Sequence, residues 1–339
     1  MTDDSGPGVR VGVVGAGSLG FHHVRILRDL PGHRMQGFFE LRPERAEEVA
    51  EELGVPALGS LEELLDRVDA VVVAVPTVTH EEVAVTALER GVDVLIEKPI
   101  APSLESADRI LATARQAGAM VQIGHVERFN PAVLAAADYL EAPLFIESHR
   151  LAPFVPRSTD VAVVLDLMIH DVDLVQSLVG TPIRAIAATG VPVLTPSVDI
   201  ANARLTFEGG AVSNLTASRV SMERMRKLRI FQRSGYLSLD LARGEGEFLR
   251  LKETLPAFSA GDESDPPGLP DAGLLGLVER IPLRGDGREP LARELENFLG
   301  AVLGTEDPAV PGEAGRAALQ VSLSIEERIE SHVADTHPA

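Results

Sequence analysis

The sequence predicts an α/β chain in two parts. Residues 1–126 should form a doubly wound parallel sheet, and residues 127–339 an α+β domain with a large, mostly antiparallel sheet. Three observations carry this. From Val9 to Gly124 short β-branched runs alternate with segments of helical period, the rhythm of a parallel sheet with helices on both faces. After Glu127 strands follow one another with few helices between them, which implies antiparallel pairing. Between the first strand and the first helix stands a Gly-x-Gly-x-x-Gly run. At 339 residues, 45% of them hydrophobic, the chain is long enough for two domains with sizeable cores.

In the first part residues 9–14 read as a strand, and Gly15-Ala16-Gly17-Ser18-Leu19-Gly20 leads into a helix through about Leu30. Residues 35–39 are a second strand and 43–53 an Ala/Glu-rich helix. Ser60 with Glu63 has the spacing of a capping box opening a short helix. Residues 68–75 are a buried strand, and Thr79 with Glu82 should cap the next helix, which ends near Gly91. Segments 92–96, 103–116 and 120–123 complete the series as strand, helix and strand. In the second part strands are expected at 143–150, 183–190, 200–207, 211–219, 227–232 and 236–241, with a helix over 163–179. Glu208-Gly209-Gly210 and Ser234-Gly235 read as hairpin turns. The Pro/Gly/Asp-rich stretch 256–290 reads as a long loop, and helices near 291–303 and 313–331 finish the chain.

A net charge of −20 argues against a general nucleic-acid or anionic-membrane binder. With no Cys, disulfides, thiolate metal sites and Cys nucleophiles are excluded. The acidic start Met1-Thr2-Asp3-Asp4 is not expected to be a signal peptide, and apolar runs such as 71–75 are too short to span a bilayer. A cytoplasmic protein is therefore expected. Only three of the 31 basic residues are Lys: Lys98, Lys227 and Lys252.

Strand-to-helix placement turns the glycine run into a dinucleotide fingerprint of the Rossmann type. Gly15 permits the tight turn, Gly17 lets the backbone approach a pyrophosphate, and Gly20 lets helix and strand pack closely. The amides at Ser18, Leu19 and Gly20 then face the phosphates at the positive end of the helix. About twenty residues on, Glu40 is placed to accept hydrogen bonds from the adenosine ribose. A carboxylate there repels a 2′-phosphate, so NAD is expected rather than NADP, although Arg42 lies close by.

Further motifs follow in order: Val75-Pro76-Thr77-x-x-His80, Glu97-Lys98-Pro99, Gly124-His125-Val126-Glu127-Arg128-Phe129-Asn130-Pro131 and Asp166-Leu167-Met168-Ile169-His170. On these the chain resembles the Gfo/Idh/MocA oxidoreductases over essentially its whole length. The resemblance implies a Glu-Lys-Pro motif beside the nicotinamide, with Pro76, Thr77, His80, Glu97 and His125 lining the cofactor crevice. It also implies oxidation of a secondary hydroxyl on a sugar or sugar nucleotide, and a homodimer or homotetramer. Stretches 124–131 and 165–173 are most similar to members that act on C3 of UDP-N-acetylglucosamine.

The residues support such chemistry without the family. Lys98 follows a strand C-terminus, where ligands bind in doubly wound sheets, and its ammonium can engage a substrate hydroxyl. Pro99 invites a cis peptide. Asp166 and His170, four apart on a helix, share a face; His170 can accept a hydroxyl proton and Asp166 can hold substrate or orient the imidazole. Whether Lys98 or His170 is the immediate base stays open, because the two would titrate together. Asp171 and Asp173 follow His170, but no other residues supply ligands at metal-site spacing, so no metal is expected. Six basic residues (Arg219, Arg224, Arg226, Lys227, Arg229, Arg233) stand against the single acid Glu223. That run is either a solvated edge or an oligomer interface with an acidic partner surface, or it is an anion pocket to which Arg128, Arg150 and Arg157 contribute. An inositol or free-sugar dehydrogenase, or a non-catalytic NAD-binding regulator, are the alternative readings.

Overall fold

The structure, a computed structural model, describes residues 8–155, 162–252 and 277–336. The first part runs β1 (Arg10–Val14), α1 (Ser18–Asp29), β2 (Arg34–Phe39), α2 (Pro43–Leu53), α3 (Leu61–Leu65), β3 (Ala70–Val73), α4 (His80–Leu88), β4 (Asp93–Glu97), α5 (Leu104–Ala117) and β5 (Val121–Gly124). The five strands are parallel in the order β2-β1-β3-β4-β5. Helices cover both faces, so Val11, Val13, Val71, Val72, Val94 and Leu95 are all fully buried, which explains strands that read as unbroken apolar runs. Strand order reverses between β1 and β3, and the crevice at that switch point is where such sheets bind ligands.

Local signals held in most places. Ser60 accepts from the Glu63 amide at 3.1 Å, while the Glu63 carboxylate accepts from the Gly59 amide at 2.9 Å, one residue before the expected partner. Thr79 is a correction: a 3₁₀ turn over Thr77–Thr79 precedes α4 and turns the Thr79 hydroxyl back to donate to the Pro76 carbonyl, so it makes no cap.

The second part contains α6 (Pro131–Ala136), β6 (Phe145–Leu151), a π-helical turn at Val164–Met168 leading into α7 (Ile169–Val179), then β7 (Ile183–Val191), β8 (Ile200–Phe207), β9 (Val212–Ser218), β10 (Met225–Gln232), β11 (Gly235–Asp240), β12 (Glu245–Leu251) and β13 (Val278–Arg284). Two helices follow, α8 (Pro290–Val302) and α9 (Gly312–Thr336). The eight strands are ordered β13-β12-β11-β10-β6-β9-β8-β7, and every neighbouring pair is antiparallel except β6 with β9. One face buries Ile146, Leu205, Leu215, Leu228 and Ile230 under α7 and α9.

Two strands depart from the sequence reading. β13 falls inside the stretch expected to be a loop, of which residues 256–276 lie outside the described residues. Its Pro282 disguised it, yet β13 is an edge strand, where a residue without an N–H is tolerated. β12 was hidden by glycines at 244 and 246. The chain then returns to the first sheet. Leu295, Phe298 and Leu299 of α8 join the cluster of Val9, Val11 and Leu27, and the Ile123 amide donates to the Val310 carbonyl at 2.9 Å. Among the described residues no helix is long and apolar enough to cross a membrane.

Candidate active site

A cofactor cradle lies at the switch point. Gly15 has φ +89°, and a Cβ there would sit 2.6 Å from the Ala74 carbonyl; a Cβ on Gly20 would overlap the Gly15 carbonyl. Above Gly17 nothing lies closer than the Arg42 guanidinium at 3.9 Å. α1 has no side-chain cap and no acidic residue in its first turn, unlike α3 and α5 with their Ser caps, and Ser18 and Leu19 are exposed. An uncapped helix end beneath an open backbone fits a pyrophosphate. Glu40 accepts from the Ala16 amide at 2.8 Å and from Arg42 Nε at 3.0 Å. Burial works against its carboxylate, but these donors outweigh it and hold Glu40 below the usual range. A dinucleotide would be held by this loop and by Glu40.

Lys98 emerges from the end of β4, next to a cis peptide to Pro99. Its Nζ donates to the Asp166 carbonyl at 2.6 Å and lies 3.8 Å from Asp166 Oδ1. The π turn makes that contact possible, since it loosens the regular i→i−4 ladder at the residue whose carbonyl Lys98 needs. Burial lowers the Lys98 pKa, against the opposing pull of Asp166 and Glu97. The His170 ring stands edge-on to His125, centroids 6.2 Å apart, with its Nδ1 buried and without a hydrogen-bond partner among the described residues. Burial, then Lys98, Arg150, His125 and Arg226, hold His170 well below its ordinary pKa. Lys98, Asp166 and His170 therefore share one site.

The other expected site residues are distributed differently. Arg128 makes a two-point pair with Asp173, at 2.8 and 2.7 Å, and Arg219 is buried with its Nε 3.8 Å from Asp199. Both guanidiniums face carboxylates of the second domain. Arg157 lies outside the described residues. Pro76 and Thr77 form the turn after β3, while the His80 ring is buried between the carbonyls of Val75 and Pro99, each at 3.0 Å. A neutral imidazole can donate to only one of two carbonyls, and burial holds His80 below its ordinary pKa against their pull. His80 thus ties the two strand ends together.

Sequence reading missed a buried ion network under the site. Arg150 on β6 donates to Asp171 at 2.7 and 3.1 Å and to Glu127 at 2.9 Å, with its side chain 4% exposed. Glu127 also accepts from Asn130, and Arg226 approaches it at 3.5 Å. A second cluster lies behind β4. His23 pairs with Glu97 at 2.7 Å. Burial disfavours the Glu97 carboxylate, yet His23 and Lys98 hold it below the usual range.

Glu294 of α8 is fully buried, and among the described residues both its carboxyl oxygens lack hydrogen-bond partners, as do both ring nitrogens of His125. Burial, then the charges of Glu97 and Asp173, push Glu294 well above 4.5. The folded state therefore holds a proton that the unfolded chain releases, so stability falls as pH rises from about 4.5 toward the raised folded value. Thermal melts of Glu294→Gln should show an advantage over the parent that grows with pH, by up to about 1.4 kcal/mol per pH unit. A pH-independent difference would contradict a neutral Glu294.

Residues 9–125 match the family described as "Oxidoreductase family, NAD-binding Rossmann fold", and residues 137–238 the "GFO/IDH/MocA C-terminal domain". The chain is 39% identical over 326 residues to the UDP-N-acetylglucosamine 3-dehydrogenase of Acidithiobacillus ferrooxidans, covering 94% of this chain and 97% of that one. A solved structure of that enzyme superposes with a TM-score of 0.85 at 35% identity, over 95% of this chain and 98% of the other. The scyllo-inositol 2-dehydrogenase (NAD(+)) of Bacillus subtilis is 30% identical over 63% of this chain and 68% of its own. With both domains matched in order and the relatives named dehydrogenases, the chain belongs to the GFO/IDH/MocA family of NAD-binding oxidoreductases.

Proposed function

We propose that this enzyme oxidises the C3 hydroxyl of UDP-N-acetylglucosamine to a ketone. The observation that carries the reading is the 39% identity to a dehydrogenase of that substrate along 97% of its length, with Lys98, Asp166 and His170 gathered in one site. Bound NAD supplies the hydride acceptor. Lys98 takes the hydroxyl proton: its N–H donation to the Asp166 carbonyl leaves the lone pair of the neutral amine for substrate. Both Lys98 and His170 have lowered pKa values, but with different consequences. Lowering leaves more of the lysine as the neutral, proton-accepting amine, whereas it makes an imidazole that is already neutral a weaker acceptor, so Lys98 is the stronger base of the pair at working pH. His170 hydrogen-bonds the same hydroxyl, and Asp166 holds a neighbouring one. Pro76, Thr77, Glu97 and His125 form the wall behind the nicotinamide. The functional units are residues 1–126 and 127–339, with α8 and α9 lending side chains to the first. The protein works in the cytoplasm as a homodimer or homotetramer.

The test mixes purified protein with NAD and, separately, UDP-N-acetylglucosamine, free N-acetylglucosamine and myo-inositol, following the absorbance of reduced nicotinamide. The nucleotide sugar should exceed the others in kcat/KM by roughly 100-fold or more, since a site built around a charged group rejects substrates that lack it. Faster turnover of myo-inositol would reverse the assignment.

A further inference from the structure

We propose that Arg226 is the residue that receives the diphosphate of the sugar nucleotide, an inference that rests on the substrate proposed above. Charge counting along the sequence marks a basic run without saying which member faces the site; strand parity does. In β10, Leu228, Ile230 and Gln232 point into the covered face of the large sheet, and Arg226 shares their parity. Lys227 and Arg229 point to the opposite face, where Arg229 lies 3.6 Å from Glu147. Arg226 stands opposite Arg150 in the strand register, so its guanidinium emerges beside the ion network under His170. Leu228 and Ile230 are fully buried, whereas the Arg226 side chain is 44% exposed, at the mouth of that face.

Arg226 has no carboxylate of its own. Its acidic neighbour, Glu127 at 3.5 Å, already accepts from Arg150 at 2.9 Å and from Asn130 through its other oxygen. Asp171 is engaged by two nitrogens of Arg150. Two guanidiniums thus share acids that Arg150 occupies, and burial together with Arg150 disfavours the charge on Arg226. A half-exposed guanidinium whose nearest carboxylate lies 3.5 Å away and already accepts from Arg150 and Asn130 is placed to meet a diphosphate, whose oxygens its fork matches in two-point geometry.

The test compares wild type with Arg226→Gln and Arg226→Lys, all saturated with NAD. Arg226→Gln should raise KM for UDP-N-acetylglucosamine and Kd for UDP by roughly 10- to 100-fold, as expected for losing a charge-assisted contact, with a much smaller change in kcat. Arg226→Lys, which keeps the charge and loses the fork, should fall between. Wild-type KM should rise with ionic strength and the Gln variant's should rise less, a response that a merely structural role would not produce. Titration with UDP alone reads the site without turnover. A wild type that binds UDP but does not oxidise UDP-N-acetylglucosamine therefore refutes the substrate while supporting this subsite. Equal UDP affinity in wild type and Arg226→Gln, or no UDP binding by wild type, overturns the proposal.

Discussion

Replacing Lys98 with Met is expected to lower kcat by roughly 10²–10⁴-fold, the usual contribution of a positioned acid–base group. KM for NAD should change little, because the cradle for the dinucleotide is built from Gly15, Gly17, Gly20 and Glu40 on other elements. Methionine matches the length of the lysine side chain and cannot exchange a proton, so the loss reports chemistry rather than a collapsed wall. Wild-type kcat/KM should rise with pH through the lowered Lys98 pKa, because only the neutral amine accepts a proton. The Met variant should lack that limb. Stopped-flow measurement of nicotinamide reduction across pH separates the two effects. Turnover within a few-fold of wild type, with the pH limb intact, would remove Lys98 from the mechanism and leave His170 as the base.

How far this site was legible depends on how local its signals are. Gly15 to Gly20, Glu40 and Glu97-Lys98-Pro99 each act through a turn or a strand end, and short stretches of sequence carry them. The pairing of Lys98 with the carbonyl of Asp166 joins residues 68 apart through a π turn that no spacing rule announced. Arg150, Glu127 and Asp171 come from three elements, and each alone looks like surface charge. Arg219 is buried with its Nε 3.8 Å from Asp199, a contact that a count of charges along the sequence does not show. Glu294 escaped because α8 returns to the first sheet late in the chain, and its periodicity shows that one side is buried without showing against what. The physical limit is that a buried polar group is defined by its partners, and these partners are distant in sequence.

Arg150→Met tests the hidden network and should be the most destabilising single change near the site. Arg150 is 4% exposed and carries the charge balance of Glu127 and Asp171, whose side chains are 6% and 3% exposed. Burial disfavours its charge, yet the two carboxylates outweigh this and hold its pKa above the ordinary value. Removing one partner of a buried ion pair strands the other, at about 3–5 kcal/mol. Here two carboxylates lose their principal cation, and Arg226, 3.5 Å from Glu127 and half exposed, can compensate only one of them. Against a typical total of about 5–15 kcal/mol, such a loss should lower the urea midpoint well beyond error with little change in slope. The catalytic consequence has a definite sign. Arg150 is one of the cations that depress His170, so its removal should raise the His170 pKa and shift the lower limb of the pH–rate profile upward. Arg150→Lys keeps one charge but cannot bridge both carboxylates, and should recover part of the stability. A Met variant within about 1 kcal/mol of wild type would mean that the network relaxes or takes up protons, and that Arg150 is not what holds the floor of the site.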